Sequence, residues 1–182
     1  MPEAIYFIVR TLTQLFLLLL LLRFWLPWLR ADFRNPVAQG ILRITSPLVI
    51  PIRRLLPSIG RLDTATILLT LVVQFLAVVL LLAILNRMAD PFTIALVSII
   101  ELAILSLNLF FFVILIRIIL SWISPNNYNP VTALLNTISE PILRPFRRLI
   151  PAVGGLDISP IFAIVLLQAV VIFLRTLKPI AV

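Results

Sequence analysis

The chain has 182 residues, of which 62% are hydrophobic, and a mean hydropathy of +1.20. A soluble domain is roughly 45–50% apolar, so this composition excludes a water-soluble fold of the size and makes lipid the default solvent. Fifteen basic residues against seven acidic ones give a net charge of +8, while Cys and His are both absent. That removes disulfides, the usual zinc sites, His-based acid–base catalysis and the common haem ligands, so no cofactor is expected.

The first predicted span covers about 4–29. Its centre, 15–22, is almost pure leucine, which favours helix and is fully apolar. Tyr6 lies near one end and Trp25 and Trp28 near the other, as interfacial aromatics do. Arg10 and Arg23 sit a turn or two inside the ends, within snorkelling reach. No basic leader or small-residue cleavage site marks the start as a signal peptide.

Asn35-Pro36 then reads as an N-cap followed by proline at the first helical position. Val37, Ile41, Ile44 and Leu48 recur at helical spacing, predicting a short amphipathic helix that cannot span. Pro47 and Pro51 are expected to interrupt it, since proline lacks an amide donor and crowds the preceding turn. A second short piece carries Arg53-Arg54 and ends at Pro57; Gly60 supplies a turn, and Asp63 caps the next helix.

The second span is about 64–86, the third about 92–123 and the fourth runs from Ser159-Pro160, a cap-then-proline start, to about 177. The third is longer than a bilayer needs and should tilt or protrude. A second amphipathic unit lies at 130–150, with Val131, Leu134, Leu135, Ile138 and Ile142 on one face.

This order repeats itself. Residues 35–63 end in R-R-L-L-P-S-I-G-R-L-D, residues 129–157 end in R-R-L-I-P-A-V-G-G-L-D, and the offset is 94 without a gap. Arg23/Arg117, Trp28/Trp122, Pro47/Pro141, Pro51/Pro145, Pro57/Pro151 and Gly60/Gly154 all obey it. The expected fold is an all-α membrane protein with four transmembrane helices in two parallel repeats, 1–90 and 91–182. Each repeat carries a short amphipathic interfacial insert, at 35–60 and 129–154. An even number of spans per repeat relates the halves by an axis along the membrane normal and puts both inserts on one side. That side holds Arg30, Arg34, Arg43, Arg53, Arg54, Arg61, Arg144, Arg147 and Arg148, against Arg10, Arg87, Arg175 and Lys178 on the other. The arginine excess places the inserts in the cytoplasm and both termini outside.

Four sets of residues are candidates for function. Arg53, Arg54, Arg147 and Arg148 are interfacial cations that either fix topology or contact anionic lipid headgroups or a partner. Arg23 with Asp63, and Arg117 with Asp157, lie at the same boundary and are expected either to pair or to serve as snorkelling arginines and plain helix caps. Gln14, Gln74, Asn108 and Gln168 are intramembrane amides related by the same offset and fall at similar depth. They read as interhelical glue or as the lining of a narrow polar pathway. Glu101, whose counterpart is Phe7, is expected to pair with Arg10 or Arg175, or else to form a proton or cation site.

The doubled pattern, with its Asn-Pro starts and proline-spaced inserts, resembles the YggT (YlmG) family of small integral membrane proteins over nearly the whole chain. The resemblance implies a bacterial inner-membrane protein linked to osmotic stress, ion homeostasis or the division region. Plastid relatives are linked to cytochrome maturation and nucleoid organisation. It implies no catalytic residues, and no phosphate loop, nucleophile motif or carboxylate cluster adds one. Two functions remain expected: a non-enzymatic membrane organiser or assembly factor acting through the arginine inserts, or a small channel or transporter component using the amides and Glu101. The partners expected are anionic lipids and other membrane or division proteins, not nucleic acid; a homo-oligomer is open, since most channel designs built on four spans would need oligomerisation.

Overall fold

The computed structural model describes residues 2–60, 62–123, 129–150 and 157–180. Arg61, Pro151, Gly154 and the end of the second expected insert lie outside the described residues. The described residues form six helices: α1 (Pro2–Trp28), α2 (Pro36–Leu55), α3 (Thr64–Ile84), α4 (Pro91–Ile123), α5 (Pro130–Leu149) and α6 (Ser159–Thr176). Four of them, α1, α3, α4 and α6, are long and apolar enough to cross a membrane. At about 1.5 Å per residue the 33 residues of α4 reach about 50 Å, well beyond a hydrocarbon core of about 30 Å.

The helix ends follow local chemistry. The Asn35 side chain accepts from Val37 N at 2.9 Å. Asn129 and Thr132 form a reciprocal capping box, 2.8 and 3.1 Å. After α1 and after α3 the chain leaves through the same C-terminal motif: Ala31 N donates to Leu26 O at 3.0 Å and Arg87 N to Leu82 O at 2.9 Å. The left-handed residues that this motif needs are Arg30 (φ 55) and Asn86 (φ 52) rather than glycine. Gly60 (φ 60) does make its expected turn, inside an Ile59–Leu62 bridge.

Two expectations change. Pro47 and Pro51 do not break α2, nor Pro141 and Pro145 α5; each is one continuous 20-residue helix. The four-residue spacing stacks both rings on one exposed face, so the missing donors fall on a single side of the helix. The opposite face of α2 is buried through Ala38, Ile41, Thr45 and Val49. Of the residues on its predicted apolar face, Ile44 and Leu48 are 58% and 50% exposed and form an apolar flank beside the buried one. The second change is at Ser159, which is the first helical residue of α6; Ile158 occupies the cap position without a side-chain bond.

Within each half, the long helices pack on one another and on the short one between them: α1 with α2 and α3, α4 with α5 and α6. The halves meet through α3 with α4, α1 with α4, and α2 with α5. The counterpart of the α3–α4 contact would be α6 with α1, and that pair is at most marginal among the described residues. So α6 sits at the edge, held by α4 and α5. The seam joining the halves is a buried cluster containing Leu26, Ile41, Phe110, Leu134 and Ile138. Trp25 meets Phe110 edge to face there, ring centres 5.0 Å apart.

Candidate functional site: twin charged clefts where α2 and α5 meet the long helices

Arg23 projects from the last third of α1 into the angle between α1, α2 and α3, and is 4% exposed. A cation in such a place needs its donors filled and its charge balanced. Its Nη1 donates to Thr45 Oγ1 at 2.8 Å, Ser46 Oγ at 3.1 Å and Leu42 O at 3.3 Å, all on α2. Its Nε lies 3.6 Å from Asp63 Oδ2. Asp63 caps α3, accepts from Thr66 Oγ1 at 2.7 Å, and also takes an ion pair from Arg53 at the end of α2. One carboxylate thus ties three helices together. Burial pushes its pKa up, but the Thr66 hydroxyl and the Arg53 guanidinium outweigh that and hold it below the ordinary carboxylate range.

The other half solves the same problem with one more acid. Arg117 donates to Ser139 Oγ at 2.7 Å, the position equivalent to Thr45, and to Glu140 Oε2 at 3.2 Å. Glu140 in turn receives Arg147 at 2.9 and 2.8 Å, and Arg147 Nε reaches Asp157 Oδ2 at 2.7 Å. Asp157 Oδ1 accepts from Ser159 N at 3.0 Å. Arg117 and Asp157 are therefore linked through Glu140 and Arg147 rather than in direct contact. Ser46 stands where Glu140 does, so the first cluster carries one net positive charge and the second none.

Each cluster lines a cleft. One, of about 280 Å³, is bounded by Arg23, Pro27, Phe33, Arg53, Ser58 and Asp63. The other, of about 470 Å³, is bounded by Arg117, Ser121, Trp122, Leu143, Arg147 and Asp157. Four lining positions coincide at the 94-residue offset. Arg53 and Arg147 are thus turned toward carboxylates. Arg54 and Arg148 are exposed with no ion pair among the described residues, as are Arg43 and Arg144.

The intramembrane polar residues lie elsewhere. Gln14, Gln74, Asn108 and Glu101 line one cavity of about 340 Å³ between α1, α3, α4 and the end of α6; Gln168 on α6 is not among its lining residues. Glu101 is paired with Lys178, at 2.6 Å, rather than with Arg10 or Arg175. Lys178 lies just beyond α6, where the chain turns and lets its stem reach back to α4. Among the described residues no group of acidic side chains could hold a metal ion.

The family model described as CCB3/YggT matches residues 2–85 and 95–177. The chain belongs to the CCB3/YggT family. Escherichia coli YggT is 33% identical over 168 residues, covering 92% of this chain and 87% of that protein. An uncharacterised protein of Pseudomonas aeruginosa is 44% identical over 169 residues, covering 92% of this chain and 86% of that one. An Arabidopsis thaliana protein named YlmG homolog protein 2, chloroplastic, is 38% identical over 63 residues, 35% of this chain and 25% of its own length. No solved structure matches.

In this CCB3/YggT member the residues that sequence reasoning passed over are Thr45, Ser139, Glu140 and Lys178. Glu140 could have been found: it lies seven residues, two turns, before Arg147 on the same helix face. Its counterpart is serine, so comparing the halves hid it. Burial raises and Arg147 and Arg117 lower the Glu140 pKa, and burial raises while Arg147 and Ser159 lower that of Asp157; for both the net shift is downward. Depressed carboxylates contribute stability that is full above their unfolded pKa, near 4, and that disappears as pH falls through the folded values. The melting temperature of the detergent-purified protein is therefore expected to stay level from about pH 8 to 5 and to fall below about pH 4. In a variant carrying Asp63→Asn and Glu140→Gln the acid limb should flatten.

Proposed function

We propose that this protein is a non-enzymatic organiser or assembly factor of the bacterial inner membrane. In this reading its long helices form two parallel span–insert–span repeats, with α2 and α5 lying along the cytoplasmic surface and both termini outside. The observation that carries it is the pairing of α2 with α5. They lie against each other, joined by Asn35 Nδ2 donating to Pro130 O at 2.6 Å, and leave Arg43, Arg54, Arg144 and Arg148 exposed. On α2 the exposed Ile44, Leu48 and Leu55 form an apolar flank roughly a quarter turn from Arg43 and Arg54. A helix with bundle on one side, apolar side chains on the next and arginines beyond suits the headgroup boundary. Arginine also fits phosphate bidentately. The paired helices then offer anionic lipid, and a further membrane or division component, one basic platform.

Lipid retention tests this. The purified protein, reconstituted with phosphatidylglycerol and phosphatidylethanolamine, should retain phosphatidylglycerol preferentially on native mass spectrometry. At about 1 kcal/mol per arginine, each substitution among Arg43, Arg54, Arg144 and Arg148 to Gln should weaken the preference about fivefold. A preference unchanged in the fourfold variant would end this reading.

A second reading, a channel or transporter component, draws support from the convergence of Gln14, Gln74 and Asn108 on one cavity. Cation flux in proteoliposomes that vanishes in Glu101→Gln would favour it.

A further inference from the structure

The cavity among α1, α3, α4 and the end of α6 has polar walls, of which only the Glu101–Lys178 pair joins two parts of the fold. Arg10 and Gln14 are one turn apart on α1, and Glu101 and Asn108 two turns apart on α4, so charges and amides are separated along the cavity by roughly 6–10 Å. The amide end is Gln14, Gln74 and Asn108, and none of the three hydrogen-bonds to another described residue. Gln74 is only 8% exposed. Interhelical glue would show these amides bonded across helices; instead the three line the cavity and their polar atoms keep some accessible surface. The charged end holds three cations, Arg10, Arg175 and Lys178, against Glu101 alone. Lys178 occupies that one carboxylate. Among the described residues Arg10 bonds only the Tyr6 hydroxyl, at 2.9 Å, and Arg175 has no ion pair. The excess among the described residues is two positive charges, on a half-buried Arg10 and an exposed Arg175, which disfavours a metal cation and favours an anion.

We propose that this cavity is a binding site for an oxyanion, a phosphate or carboxylate group, either free in solution or carried on a lipid headgroup. Arg10 and Arg175 balance its charge, and the amides of Gln14, Gln74 and Asn108 hydrogen-bond its oxygens or adjoining hydroxyls. The size, about 340 Å³, suits a small solute or one headgroup. The site is separate from the arginine inserts and holds whether or not anything crosses the membrane.

The test is thermal unfolding of the full-length protein in a neutral detergent. Sodium phosphate is compared with sodium chloride at equal ionic strength, and dihexanoylphosphatidylglycerol with dihexanoylphosphatidylcholine. A saturable rise of several degrees is expected with at least one anion. A rise with phosphate identifies a free oxyanion, and a rise with the glycerol lipid alone identifies a headgroup. The rise should disappear in the double variant Arg10→Gln/Arg175→Gln and in Gln74→Leu, and survive in Arg54→Gln/Arg148→Gln. Gln74→Leu should fold at least as well as the parent, since it removes an unpartnered amide, so loss of the shift there reports the site. No shift with either anion overturns the proposal, as does a shift that survives in Gln74→Leu or is lost in the insert variant. Stabilisation by potassium that depends on Glu101 overturns it as well.

Discussion

Asp63→Asn is expected to cost about 3–5 kcal/mol of folding stability, the usual penalty for leaving a buried charge without its partner. Arg23 would remain 4% exposed at the junction of α1, α2 and α3, with its hydroxyl and carbonyl acceptors but no counter-charge. Arg53 would lose its acid at the same stroke. The matching Asp157→Asn should cost within about 1 kcal/mol, because Asp157 is 38% exposed and Arg147 keeps Glu140. Denaturation of both variants in detergent reads the difference. Adding Arg23→Leu to Asp63→Asn should recover part of the loss, since an apolar side chain needs no partner there. Equal losses at the two aspartates would contradict the assignment of Arg23 as the buried charge.

The second large effect separates two isoleucines that the sequence treats as equivalent. Ile138 is 2% exposed in the seam between the halves, whereas Ile44, at the same place in the first repeat, is 58% exposed. Ile138→Ala should cost about 2–5 kcal/mol and Ile44→Ala under about 1 kcal/mol. The asymmetry arises because α5 turns a wider face inward, through Leu134, Ile138, Ser139 and Leu143, than α2 does. If both substitutions cost the same on denaturation, the seam is not built as described.

These contrasts show where the sequence is legible and where it stops. Hydropathy located all four long helices, because runs of twenty apolar residues have few alternatives. The Asn-Pro starts of α2 and α5 and the turn at Gly60 were legible from cap and turn chemistry alone. Continuity through Pro47 and Pro51 was not, since tolerance depends on both rings sharing an exposed face. The aspartates were visible as boundary acids, but the choice of Glu140 by Arg117 was not: the equivalent contact in the first half, Arg23 to Ser46, falls on a serine, so comparing the repeats showed no acid there. Equal depth put the four amides at one level. Convergence of three of them also needs packing, and Gln168 is left out although Arg175, two turns further along α6, lines the same cavity.

The placement of α2 and α5 on the cytoplasmic surface is tested most directly by labelling introduced cysteines, in a chain that has none of its own. Ser58 is exposed in the turn after α2, and Met88 is fully exposed in the turn between α3 and α4. With a membrane-impermeant maleimide on spheroplasts, Met88→Cys should label at once, and Ser58→Cys only after the membrane is permeabilised. Labelling of Ser58→Cys in intact spheroplasts, or of both positions from the same side, would contradict the account.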